Sequence, residues 1–134
     1  MMSVETNKAV VLRFNKEFLE LGKTDILGEI VADDFINHTA SGNVPNNVTG
    51  LIQFVKMLHQ GFPDIQVQIH EQIAENDIVA SRKTIRGTHL GEIMGHQPTG
   101  KKVTINVMDF VRIKDGKYTD HWGQNNIMQV IEQL

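Results

Sequence analysis

One carboxylate stands where a carboxylate is costly. Asp109 interrupts a row of β-branched residues, Val103, Ile105, Val107, Val111 and Ile113. Alternation places all six side chains on one face of a strand. The next residues, Lys114-Asp115-Gly116-Lys117, spell a two-residue hairpin turn. With Asp115-Gly116 as the turn, Ile113 faces Tyr118, Val111 faces Asp120 and Asp109 faces Trp122. Val107 then faces Gln124 and Ile105 faces Asn126. The opposite face carries Asn106, Met108, Phe110, Thr119, His121 and Gly123. A single bulge shifts this pairing.

A buried charge costs several kcal/mol unless it is paired or solvated. Two readings of Asp109 follow. In one it is a structural residue, hydrogen-bonded to a core donor such as the Trp122 indole N–H or a backbone amide. In the other it lines a cavity with Trp122, Gln124 and Asn126 and acts as a base or ligand acceptor.

Other motifs offer less chemistry. Gly95-His96-Gln97-Pro98-Thr99-Gly100-Lys101-Lys102 nearly spells a phosphate-binding loop. The final Ser or Thr is a lysine, and the segment leads into a strand rather than a helix. Six histidines, His38, His59, His70, His89, His96 and His121, show no recurrent ligand spacing, so no metal site is expected. Ser3, Ser41 and Ser81 lack a nucleophile-elbow context. Cysteine is absent, which removes disulfides, thiol nucleophiles and thiolate metal sites.

The elements that must position Asp109 are legible from periodicity. Ser3 caps a helix expected to run to Gly22, with Val11, Phe14, Phe18 and Leu21 as its apolar stripe. Thr24 begins a short second helix with Leu27, Ile30 and Val31. Asp33 to Thr39 reads as extended and Ala40 to Asn47 as loop. Thr49 caps a third helix with Leu51, Ile52, Val55 and Leu58 inward, stopped by Gly61 and Pro63. The period then changes to two. Ile65, Val67 and Ile69 alternate with polar residues, and Glu75-Asn76-Asp77 is a turn. Ile78 to His89 is a strand, Leu90 to Gly100 a loop, and a last strand runs from Tyr118 to about Met128. This order argues for α+β, helices on one face of a mostly antiparallel sheet.

The 134 residues suit a single domain, 1–134. Apolar residues at 40 %, charged residues at 22 % and a net charge of -3 exclude disorder and a basic nucleic-acid footprint. No signal-peptide or membrane-spanning run is present, so a cytoplasmic protein with no membrane or nucleic-acid partner is expected.

An ordered set of short motifs adds a family. Phe62-Pro63-Asp64, Glu75-Asn76-Asp77-Ile78-Val79, Gly87-Thr88-His89-Leu90-Gly91, Pro98-Thr99-Gly100-Lys101, Arg112 to Lys117, His121-Trp122 and the closing Gln133-Leu134 occur in this order. The series resembles the SnoaL-like polyketide cyclases of the nuclear-transport-factor-2-like superfamily, over nearly the whole chain. The resemblance implies a cone-shaped barrel, a strongly curved, mostly antiparallel sheet wrapped around three helices of the N-terminal half, with an apolar pocket between them. It implies a homodimer through the outer sheet face, here Asn106, Met108, Phe110 and His121. It also implies ring closure of a polyketide by intramolecular aldol condensation, with a carboxylate of raised pKa as acid/base and no metal or cofactor.

This sequence departs from the family at one place. Members commonly carry His-Trp-x-x-x-Asp in the last strand, with that Asp as the acid/base; here position 126 is Asn. Asp109 is then the candidate base, with Trp122, Gln124, Asn126, His38, His89 and Phe18 as candidate substrate contacts. Phe14, Phe18 and Phe54 could instead fill the pocket. Three functions remain: a cyclase or isomerase acting on a hydrophobic carbonyl compound, a non-catalytic binder of a small apolar molecule, and a dimeric interaction module with a filled cavity.

Overall fold

A computed structural model describes residues 3–134. Met1 and Met2, where the expected single domain begins, lie outside the described residues. Helix α1, Val4–Arg13, begins where the Ser3 hydroxyl accepts from the Thr6 N–H at 3.1 Å. It continues without a break into a π-helical stretch, Phe14–Glu20. There Leu21 N–H reaches back five residues to the Lys16 carbonyl at 3.1 Å. Val11, Phe14 and Phe18 are buried as expected, but Leu21 is half exposed. The wider winding carries it past the apolar stripe.

Helix α2 is the short Leu27–Ile30, and Val31, expected on it, instead opens strand β1, Val31–Asn37. Helix α3, Val48–Gly61, is capped by the Asn47 side chain, which accepts from the Thr49 N–H at 3.1 Å. The cap thus lies two residues before Thr49. Val55 and Leu58 are fully inside.

Strands β2, Gln66–Glu75, β3, Ile78–Thr88, β4, Lys102–Lys114, and β5, Lys117–Asn125, follow. The β4–β5 turn is made by Asp115 and Gly116 with φ of 51° and 77°, the double left-handed geometry that Asp-Gly favours. The sheet has the order β1-β5-β4-β3-β2, with β1 parallel to β5 and every other pair antiparallel. It is open, with β1 and β2 as its edges, so the expected barrel is not closed. A fourth helix, α4, Ile127–Glu132, takes the place of the end of the expected last strand and buries Ile127 and Ile131.

The inner sheet face and the helices share one core, from Phe14, Phe18 and Phe35 to Phe62, Ile105 and Ile113. No helix among the described residues is long and apolar enough to cross a membrane.

The β4–β5 register differs from the simple hairpin. Lys114 faces Lys117 and Ile113 faces Tyr118, but Arg112 faces Asp120. Thr119 is the extra residue of a bulge. Its hydroxyl reaches the Arg112 carbonyl at 3.3 Å and the Asp120 Oδ1 at 2.7 Å. Beyond it, every pair slips by one. Asp109 faces Gly123, and Phe110, not Asp109, faces Trp122.

Candidate functional site

The slip changes which side chains meet Asp109. His121 turns inward in place of Trp122. Its Nε2 lies 3.5 Å from Asp109 Oδ2. Its Nδ1 lies 3.0 Å from Asn37 Oδ1 at the end of β1. Gly123 makes this possible. A Cβ there would stand 2.7 Å from His121 Cε1, so only glycine lets the ring lie across the strand toward Asp109.

From the other side comes Lys83, which alternation in β3 places inward between Ser81 and Ile85. Its ammonium sits 3.2 Å from Asp109 Oδ2 and donates to Asn15 Oδ1 at 2.7 Å. Asn15 belongs to the π-helical stretch and donates its amide to the Val11 carbonyl at 2.9 Å. The wide turn thus aims a polar side chain into the core. Lys83 and Asp109 are both 6 % exposed at the side chain, whereas His121 keeps 23 %. The cluster therefore meets solvent through His121.

Electrostatics set the state of Asp109. Burial pushes its carboxyl up, but Lys83 and then His121 outweigh burial and hold it below the ordinary carboxylate value. The carboxylate of raised pKa implied by the resemblance is therefore replaced by a paired anion. Burial first, then the Asp109 charge, pushes the Tyr118 phenol well above its ordinary value. Only one Asp109 oxygen is committed. Oδ1 is buried without a hydrogen-bond partner among the described residues, and so is Ser81 Oγ.

The expected substrate contacts part company. Trp122 and Gln124 lie on the outer face, opposite to Asp109, because of the Thr119 bulge. His38 joins Trp122 there, its ring stacked at 4.7 Å, with the Arg112 guanidinium 5.4 Å from the indole centre. Asp120 lies 2.8 Å from His38 Nε2 and 3.7 Å from Arg112. The His38 bond, first, and the Thr119 hydroxyl hold the Asp120 carboxyl below its ordinary value.

Asn126 ends the strand: its Oδ1 accepts from the Asn106 N–H at 2.8 Å, just before α4. His89 is fully buried and ties down the loop before β4. Its Nδ1 accepts from the Thr99 N–H at 3.2 Å and lies 2.9 Å from Thr99 Oγ1. Phe18 packs in the core, 5.1 Å from Phe14.

The outer face carries a shallow groove of about 570 Å³, lined by Thr39, Ile73, Met108, Phe110, Trp122 and Gln124 among others. Ser81 and Asp109, whose side chains alternation directs to the other face, line it too. Of the residues expected on the outer face, Asn106, Met108 and Phe110 are there and His121 is not.

Lys83, Asn15 and Asn37 carry no expectation from the sequence, and Ser81 and His121 are expected there only as a serine without nucleophile context and as an outer-face residue. Lys83 carried a signal, since it sits in the inward row Val79, Ser81, Lys83, Ile85. No group of three His, Cys, Asp or Glu among the described residues is arranged to hold a metal ion.

The family model of the SnoaL-like polyketide cyclases matches residues 9–134. No curated protein sequence matches the chain. Among solved structures, the chain is similar to AclR, a candidate hydroxylase from Streptomyces galilaeus. Identity is 27 % and the TM-score 0.85, with 98 % of this chain and 85 % of that one covered. It is similar to a candidate polyketide cyclase from Bacillus cereus at 24 % identity and a TM-score of 0.83, covering 96 % and 79 %. IdmH, a candidate polyketide cyclase from Streptomyces antibioticus, aligns at 24 % identity and 0.81, covering 95 % and 96 %.

Proposed function

The chain belongs to the SnoaL-like polyketide cyclase family, and on that footing we propose that it is a small cofactor-free enzyme. It takes a proton from carbon next to a carbonyl of a hydrophobic substrate, in a cyclase- or isomerase-type reaction with Asp109 as the base. One observation carries this reading. Asp109 Oδ2 is held by Lys83 and faced by His121, while Oδ1 is buried and unpartnered among the described residues. Two neighbours fix the carboxylate, and one oxygen is left to accept.

The chemistry follows from that geometry. Oδ1 takes the proton, the C–H electron pair becomes an enolate, and the enolate carbon attacks a second carbonyl of the same molecule. The carboxylic acid then returns its proton to the new alkoxide. A carboxylate held low is fully ionised at neutral pH but is a weak base. It suits a C–H flanked by two carbonyls, as in a polyketide, better than a simple ketone. Asn126 is engaged with the Asn106 backbone, so the base comes from β4 rather than from the position the family commonly uses.

The test is deuterium uptake by ethyl benzoylacetate in D₂O, followed by NMR. The chain should accelerate exchange of the carbon-bound proton between the carbonyls, and Asp109→Asn should lose about 10²-fold or more of that acceleration. Equal rates in the two proteins would remove Asp109 as the base. Saturable binding with no acceleration in either would favour the non-catalytic binder of small apolar molecules.

We also propose that two copies pair through the outer sheet face. Ile73, Met108 and Phe110 support this, being 70 %, 63 % and 57 % exposed on one sheet face, with Ala80 of β3 between Ile73 on β2 and Phe110 on β4. In the third reading, an interaction module with a filled cavity, this face would be the whole function.

A further inference from the structure

We propose that Ser81 is a second catalytic residue, the hydroxyl that holds the substrate's carbonyl oxygen while Asp109 takes the proton. The proposal rests on the reading of Asp109 as the base. Ser81 and Asp109 are directly opposed residues of the β3–β4 ladder. Directly opposed residues of an antiparallel pair have Cβ atoms about 5 Å apart and side chains on the same face. Both are buried, and each carries one oxygen without a partner among the described residues, Ser81 Oγ and Asp109 Oδ1.

Two orphaned oxygens on directly opposed core residues are costly. The cost is removed at once by a ligand that presents an acidic C–H to one and an oxygen to the other. An enolisable carbonyl compound does this, because its α-carbon and its carbonyl oxygen are two bonds apart.

Lys83 and His121 are already spent on Asp109 Oδ2. Ser81, on the residue opposed to Asp109, is therefore the buried donor left without a partner among the described residues. The proton moves from the α-carbon to Asp109 Oδ1, the electron pair of that C–H bond moves through the carbon–carbon bond onto the carbonyl oxygen, and the Ser81 O–H donates to the oxygen as its charge grows. No other reactant is needed. Ser81 itself neither gains nor loses a proton, so it acts on the charge that develops in the transition state.

The experiment compares wild type, Ser81→Ala, Ser81→Thr and Asp109→Asn. Deuterium exchange of ethyl benzoylacetate is measured across substrate concentration and pH, with a thermal melt of each variant. A second reading is the fluorescence of bound 2-naphthol, a planar hydroxyl mimic of the enol. Ser81→Ala should melt like wild type but exchange about 10- to 100-fold more slowly at saturation, with the same pH profile. Ser81→Thr, which keeps the hydroxyl, should recover most of the rate. The 2-naphthol affinity should fall in Ser81→Ala by a similar factor.

Ser81→Ala within twofold of wild type while Asp109→Asn is inactive would overturn the role of Ser81 and leave Asp109 standing. If wild type does not accelerate exchange, the base reading fails separately and the naphthol binding decides for Ser81. Weaker binding in Ser81→Ala would keep it as the ligand's donor, and unchanged or absent binding would remove it.

Discussion

Asp109 and Lys83 are two misfits of opposite sign, placed diagonally to each other on neighbouring strands. Each alone would be a buried charge in an apolar row. Together, 3.2 Å apart, they offset much of one another's burial cost, and Asn15 completes the lysine's partners. Removing one charge and removing both should therefore differ. Lys83→Met, which strands the carboxylate, should cost about 3–5 kcal/mol. The double variant Lys83→Met with Asp109→Leu should recover most of that loss in urea unfolding. Additive losses would show that the two charges are not coupled. The pair also sets an acid limit. Because the folded chain holds the Asp109 carboxyl below its ordinary value, the unfolded chain takes up that proton first as pH falls. The stabilisation is complete above about pH 4, the unfolded value, and is lost as pH drops through the lower folded value. Asp109→Asn should flatten that part of the stability curve, and an unchanged curve would contradict the pairing. Asp109 was legible in the sequence because it broke a valine and isoleucine row. Lys83 broke another, but the two strands are joined by a long loop, and nothing local fixes their mutual register.

At the scale of elements, two irregularities build the site. The π-helical stretch directs Asn15 inward, and the Thr119 bulge decides whether His121 or Trp122 faces Asp109. The regular elements were readable: Ser3 as a cap, the change of period from 3.6 to 2, and the Asp115-Gly116 turn all have local causes. The bulge is one extra residue whose hydroxyl reaches the Arg112 carbonyl and the Asp120 carboxylate, and no periodicity announces it. Helix α4 was missed for a related reason: with six residues it buries only Ile127 and Ile131, too short a stripe to override the strand before it. The bulge gives a sharp prediction. Thr119→Ala removes both contacts of the hydroxyl but keeps the residue count, so it should cost about 1 kcal/mol and leave His121 beside Asp109. Deleting Thr119, the extra residue, should remove the bulge and keep the pairs beyond it, Val111 with His121 and Phe110 with Trp122. The indole fluorescence of the deletion variant should therefore stay that of wild type. A shift to the fluorescence of a buried tryptophan would mean that the strand has slipped by one residue. Gly123→Ala tests the same strand one step on: the new Cβ claims the space of the His121 ring, so the His121 NMR signals should move while the fold persists.

The whole molecule is an open sheet with helices on one face only, and this leaves the other face to be explained. Ile73, Met108 and Phe110 stand exposed beside Trp122, while the Arg82–Glu71 pair at 2.6 Å interrupts them with charge. An apolar strip crossed by a charged pair is poor material for a core but good material for a contact between surfaces that also meet water. A second copy fits this composition, since a two-fold axis sets the same strip against itself and buries it twice. The covering must come from the face and not from the edges: β1 and β2 bound the sheet, and strand addition there would leave the strip exposed. Phe110 lies near the middle of the strip, on β4, at the centre of the five strands. Phe110→Glu places like charges near each other across such an axis while touching nothing in the core. In sedimentation at micromolar concentration, wild type should behave as a dimer and Phe110→Glu as a monomer. The variant's secondary structure should be unchanged, and its melt should become insensitive to protein concentration. Deuterium exchange separates this face from the chemistry beneath it. If Asp109 works within one chain, the monomeric variant keeps the rate, and if pairing is needed to hold β4 and β5 in place, rate and dimer are lost together. A wild-type monomer with the same sedimentation as Phe110→Glu would leave the strip to a different partner.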